Sequence, residues 1–245
     1  MTHILVTHTH TDHSPASRQL QERTGAPICG YGPQVRTEDT DPTRVLFGDP
    51  DVDPDPSRPP VRRGGDEMFR ADIVLADRSI TEGDGWTLES VHTPGHASNH
   101  LCYGLKEEGS LFTGDQVMGW ATTVVAPPDG RLSEYLASLR KLLARRGDAR
   151  YLPGHGPAID QPHRLVRALI SHRNDRNQQL LDLLERTSAT ISEIVPVVYA
   201  NVSKQLWPAA AASVHAHVLH LEEAGIVEAD DRQPILRTSR VQRIK

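Results

Sequence analysis

Near the start of the chain, Ile4, Leu5 and Val6 are consecutive apolar residues, a run that predicts a short strand over His3–Thr7 buried on both faces. A polar, histidine-rich turn follows. A modest helix then runs from Pro15 to Arg23, with Ser14 as its candidate N-cap and Gly25 just past its end. Ile28 and Cys29 suit a second short strand. Further strand-like pieces lie at Asp72–Leu75, Trp86–Val91, Leu101–Leu105 and Ser110–Thr113, separated by Gly and Asp turns. Between Leu132 and Arg146 the period changes from two to about 3.6. Leu132, Tyr135, Leu136, Leu139, Leu142 and Leu143 there make one helical stripe. Arg150–Leu152 adds one more strand. Strands alternating with helices up to residue 160 predict a layered α/β arrangement.

Beyond that point the pattern is helical. Pro162 suits a first helical position, and Leu165, Leu169, Leu180 and Leu184 share related faces of a helix reaching Arg186. Thr190 and Glu193 have capping-box spacing ahead of Ile194 and Val195. Another helix spans Pro208–Ala224 and stops at Gly225. Ile226–Val227, the turn Asp230–Asp231 and Ile235–Leu236 then read as a small hairpin. Helix, helix, hairpin is the outline of a winged helix. We therefore expect a first domain over 1–186 and a winged-helix domain over 187–245. Within the first, residues 38–67 carry six prolines and nine acidic side chains but only Val45, Leu46, Phe47, Val52 and Val61 as large apolar groups. Such a segment cannot bury enough surface to offset its ordering entropy, and we expect a mobile surface insertion.

Composition narrows the function classes. The 245 residues carry 27 basic and 32 acidic side chains, a net charge of −5, which argues against general coating of nucleic acid. No apolar run is long enough to cross a bilayer, so no membrane partner is expected. Cys29 and Cys102 cannot make a disulfide scaffold, which suits a cytoplasmic location.

The thirteen histidines matter for where they sit. Residues 8–13 read His8-Thr9-His10-Thr11-Asp12-His13 directly after a strand. On an extended turn His8 and His10 point the same way and can bite one cation, while Asp12 and His13 can aim at a second as the chain curls into the helix. Neutral imidazoles with a carboxylate suit Zn²⁺, with Fe or Mn as alternatives. Three more stretches repeat the order strand, tight glycine turn, ligand: Thr93-Pro94-Gly95-His96, Phe112-Thr113-Gly114-Asp115, and Tyr151-Leu152-Pro153-Gly154-His155-Gly156.

The ordered set of motifs resembles the metallo-β-lactamase superfamily over residues 3–185. Within it, the lactamase-like protein 2 group is similar through Gly119-Trp120-Ala121-Thr122-Thr123-Val124, Ser171-His172-Arg173 and the winged-helix tail. The resemblance implies an αβ/βα sandwich. It also implies two divalent metal ions, one held by His8, His10 and His96, the other by Asp12, His13 and His155, with Asp115 bridging. The implied activity is a hydrolase whose nucleophile is a metal-activated hydroxide, with Asp12 or Asp115 orienting it or taking its proton. Family members carry strands ahead of the HxHxDH strand, so we expect an N-terminally incomplete sandwich here.

Two substrate classes compete among such relatives, small esters or thioesters and single-stranded RNA. The negative charge and only eleven aromatic residues favour a small-molecule substrate over a base-stacking groove. Other readings are a winged-helix DNA-binding regulator and an inactive shortened product. The helix at Pro208–Ala224 contains no Lys or Arg, which weighs against base reading. His172 is a weak candidate for protonating a leaving group. His92 is expected to bond to backbone, His215, His217 and His220 to lie at the surface or between helices, and both cysteines to be core.

Overall fold

The computed structural model describes residues 1–34, 65–66, 68–229 and 239–244. All of the expected 38–67 insertion except residues 65 and 66, and the expected hairpin residues Asp230, Asp231, Ile235 and Leu236, lie outside the described residues.

Three short parallel strands form one sheet: β1 (Ile4–Leu5), β2 (Ile28–Gly30) and β3 (Ile73–Val74), with Ile4 opposite Ile28 and Cys29 opposite Ile73. Helix α1 (Ala16–Thr24) makes the first crossover. A second sheet runs in the order β4 (Ile80–Gly83), β5 (Trp86–His92), β6 (Leu101–Leu105), β7 (Ser110–Gly114) and β8 (Arg150–Pro153). Its pairs are antiparallel except β7 with β8, which is parallel and connected through α2 (Leu132–Ala144). Among the described residues, the predicted strands and helices are found within a few residues of their expected places. Strand β4 went unpredicted, since a four-residue edge with mostly exposed side chains leaves no apolar pattern.

The two sheets are tied directly. Leu101 N–H donates to Thr7 O at 2.7 Å and the Tyr103 hydroxyl donates to Val6 O at 2.7 Å, so the end of β1 is fixed against β6. The main core lies between the five-stranded sheet and the helices. Leu132, Tyr135, Leu136, Leu139 and Leu142 of α2 pack against Val91, Leu111 and Tyr151 of the sheet and Val166 and Leu169 of α3 (Pro162–Leu184). Burying each such leucine contributes about 1.5–3 kcal/mol.

Ser14 is not the cap of α1. Pro15 occupies the N-cap, and the buried Ser14 hydroxyl instead donates to Asp66 Oδ2 at 3.0 Å. A hydroxyl beside a proline-initiated helix was free to take a tertiary partner, and the long-range carboxylate was invisible in local sequence. Gly25 does end the helix, with φ of 71°.

A second core contains Leu180 and Leu184 of α3 together with Ile191, Ile194 and Val195 of α4 (Ile191–Val198), and Ala211, Val214, Val218 and Leu221 of α5 (Trp207–Glu223). The capping box at Thr190 and Glu193 is present. Strand β9 (Val227–Ala229) pairs antiparallel with β10 (Val241–Arg243). Val241 of β10 is fully buried and also exchanges backbone bonds of 3.0 Å with Ala189. No described helix is long and apolar enough to cross a membrane.

Candidate metal centre

Each motif leaves its strand through a tight turn. After β1 the chain closes a turn, His13 N–H donating to His10 O at 2.9 Å, which carries Asp12 and His13 away from His8 and His10. Asn99 holds this loop from below, its amide donating to Thr9 Oγ1 and to Gly32 O, both at 2.9 Å. After β5, Gly95 adopts φ of 129°, and a Cβ there would lie 2.2 Å from the backbone nitrogen of Tyr135, so the TPGH turn needs glycine to sit on the start of α2. At Gly154 a Cβ would come within 2.8 Å of Asp115 Oδ1 and 2.9 Å of His13 Cε1, so the third turn needs glycine to reach the cluster.

All seven residues singled out from sequence converge. Donor atoms fall into three groups, each within 4.8 Å: His8, His10 and His96; His8, His13 and Asp115; Asp12, His13 and His155. His8 Nε2 is 3.1 Å and His96 Nε2 is 3.0 Å from His10 Nδ1. Asp115 sits between the sets, 3.3 Å from His13 Nε2 and 3.6 Å from both His96 Nε2 and His155 Nε2. Asp12 Oδ2 is 3.1 Å from His155 Nε2 on the solvent side.

The proton count explains what the cluster suits. His96 Nδ1 lies 2.6 Å from Val124 O, which can only accept, so Nδ1 carries the proton and Nε2 offers a lone pair. A single proton on His10 Nδ1 could satisfy only one of its two neighbours, so at least two lone pairs share the space between three rings. Burial, then repulsion from the neighbouring imidazoles, holds His8 well below its ordinary value and His10 at about 4, and burial also lowers His96. These rings are therefore neutral at pH 7, the form in which an imidazole can ligate a cation. For His13 burial works downward, but the adjacent Asp115 carboxylate, followed by Asp12, outweighs it and raises the pKa. Burial works to raise Asp115, but its histidine neighbours, His13 foremost, keep it below the usual carboxylate range. His13 Nε2 and Asp115 Oδ1 are buried facing each other at 3.3 Å, outside hydrogen-bond geometry, and neither has another hydrogen-bond partner among the described residues. Convergent imidazole lone pairs and a buried, ionised carboxylate fit a divalent cation of the zinc type.

The supporting residues were missed in the sequence. His100, given no role there, is fully buried; its Nε2 accepts from Asp115 N–H at 3.2 Å and its Nδ1 pairs with Thr93 Oγ1 at 2.8 Å. Thr123 Oγ1 donates to Asp115 O at 2.7 Å. The signal available was the Thr93 and His100 flank of the TPGH turn. Other histidines fall as expected: His92 Nε2 bonds to Ser98 O at 3.0 Å, and His217 is buried between helices with Nδ1 2.6 Å from Asn177 Oδ1. His172 is exposed on α3, and the charged groups acting on it are Arg173, Arg176 and Asp175 of its own helix. Both cysteines are buried and free.

Comparison with known proteins agrees with this geometry. A profile described as the metallo-beta-lactamase superfamily matches residues 1–155, and one described as the beta-lactamase associated winged helix domain matches residues 190–233. A beta-lactamase-like protein 2 homolog of Drosophila melanogaster is 38% identical over 154 residues, covering 62% of this chain and 51% of its own length. An atrochrysone carboxyl ACP thioesterase of Paecilomyces divaricatus is 29% identical over 209 residues, covering 82% of this chain and 55% of its own. The crystal structure of a metallo-beta-lactamase family protein from Thermus thermophilus superposes with a TM-score of 0.72 at 25% identity, over 100% of this chain and 80% of that one. The chain spans about half the length of the curated relatives it matches.

Proposed function

The chain belongs to the metallo-beta-lactamase superfamily, and from that premise we propose that it is a metal-dependent hydrolase of a small ester or thioester. In this reading residues 1–186 are the catalytic unit, 187–245 the winged-helix unit, and the location is cytoplasmic, in keeping with two free, buried thiols. The observation that carries it is the convergence of His8, His10, Asp12, His13, His96, Asp115 and His155 on one cluster.

His8, His10 and His96 would hold one divalent cation, Asp12, His13 and His155 a second, and Asp115 would touch both; zinc suits the donors best, with iron or manganese as alternatives. Such cations supply Lewis acidity and bring a water to its reactive form near neutral pH. The chain's own residues do the rest. Asp115, held ionised among three imidazoles, orients the attacking water. Asp12, whose side chain is 58% exposed, stands where a proton can be passed out to solvent.

The substrate class rests on the rim. Trp120 is 74% and Val124 45% exposed on the segment that also carries Thr123 and the Val124 carbonyl, so an apolar surface borders the cluster. An apolar acyl group suits that rim. The named thioesterase activity of the Paecilomyces divaricatus relative favours the same class. Base reading by α5 is disfavoured, because Glu223 is the sole exposed residue of that helix and no face is free to enter a groove.

The test is a hydrolysis screen of the zinc-, iron- and manganese-loaded protein against acyl thioesters, aryl esters and single-stranded RNA. Metal-dependent thioester or ester turnover is expected. RNA cleavage with no acyl turnover would replace this substrate class with the nuclease one.

A further inference from the structure

Arg173 in α3 is 3% exposed, yet among the described residues no carboxylate pairs with its guanidinium. Its donors go to neutral oxygens. Nη2 donates to Thr123 O, and Nη1 to Ser213 Oγ of α5 at 3.4 Å; the guanidinium carbon lies 5.3 Å from the centre of the Tyr135 ring. A buried cation without a counter-ion carries a desolvation cost, so packing alone would be better served by an apolar side chain. What the cation touches gives a reason for it.

Thr123 is the middle of a strap across the cluster. Its hydroxyl donates to Asp115 O at 2.7 Å, and the next carbonyl, Val124 O, accepts from His96 Nδ1 at 2.6 Å. Two of the seven converging residues are therefore bonded to two successive residues of an otherwise exposed segment; Ala121 and Thr122 before it and Val124 after it are all exposed. Arg173 is the buried group that pins this strap to the helices. Ser213 in turn receives the Tyr199 hydroxyl at 3.4 Å, so the anchor reaches the C-terminal helices.

We infer that Arg173 is a positioning residue which, by anchoring the strap at Thr123, holds Asp115 and His96 in place for cation binding and links their placement to α5 through Ser213. The inference rests on the reading that the cluster binds divalent cations. Arg173 touches no atom of the cluster itself, and its effect passes through Thr123.

Zinc affinity, measured by competition with a chromophoric chelator, tests this for the wild type, Arg173→Met and Arg173→Lys, alongside melting temperatures of the chelator-stripped forms. Arg173→Met is expected to bind zinc about 10- to 100-fold more weakly, the range typical for loss of a supporting group around a metal site. Arg173→Lys keeps the charge without the fork and is expected to fall between. Both stripped variants should melt close to the stripped wild type. Wild-type zinc affinity in Arg173→Met, or a lowered melting temperature with affinity intact, overturns the proposal by making Arg173 merely structural. Should Arg173→Met not fold, Arg173→Lys decides by the same comparison. A wild-type chain that binds no zinc overturns the reading of the cluster itself, a result visible before any variant is made.

Discussion

The carbonyl of Val124 fixes the tautomer of His96: with Nδ1 donating to it across 2.6 Å, Nε2 is left as a lone pair 3.0 Å from His10 Nδ1. Removing one ring from this group empties more than one contact. His8→Ala, or Asp115→Ala, is expected to lower bound metal to well below the wild-type content and hydrolytic rate by at least ~100-fold, with the far-ultraviolet circular dichroism unchanged. Elemental analysis of the purified variants checks it. Full metal content in both variants would refute the assignment of these side chains as ligands.

Cation binding should also stabilise the fold, because the donors converge only in the native state. At a free zinc concentration 100 times the dissociation constant the gain is about 2.7 kcal/mol. A melting temperature that rises on adding zinc and returns with chelator is the expected result. A melting curve indifferent to both would count against the site.

The main core gives a prediction independent of any metal. Leu139 is fully buried between the five-stranded sheet and α3. Leu139→Ala should cost about 2–5 kcal/mol through lost transfer energy and the cavity left behind. Denaturant unfolding of the stripped protein measures it, and a cost under about 1 kcal/mol would mean the site collapses freely.

Acid sensitivity should have a contribution from the C-terminal helices. His217 is fully buried, and burial first, then Arg173 and Arg176, hold its pKa well below the ordinary value. The unfolded chain takes a proton near pH 6.5 while the folded one does not, so in this window the unfolded state binds more protons and stability falls as pH drops below about 6.5. Above that pH the contribution is flat. His217→Gln, of similar reach but not titrating, should show a shallower loss of stability between about pH 6.5 and 5 than wild type. Identical slopes would show that His217 titrates freely in the fold.

Much of this was legible in the chain because the signals were local. The leucine stripe of α2 declares its own face, Thr190 and Glu193 close their own capping box, and the HxHxDH, PGH and GD motifs each place a ligand type just after a strand. Edge strand β4 left no such trace, nor did β10, whose Val241 is held by backbone pairing with Ala229 and Ala189, residues distant in the chain. Ser14 looked like a cap until Asp66, 52 residues away, supplied a better partner.

The amino-acid order alone determined which side chains could bind a cation and that each would stand at a turn after a strand, since spacing and glycine placement are properties of a few neighbouring residues. The tertiary structure decided which ring nitrogens face each other, that Asp115 lies between both sets, and that His100 and Thr123 bond to Asp115 while Arg173 bonds to Thr123. Those relations join segments tens of residues apart. They depend on how two sheets and three helices pack, and side-chain donors and acceptors meet only after the chain has closed those loops.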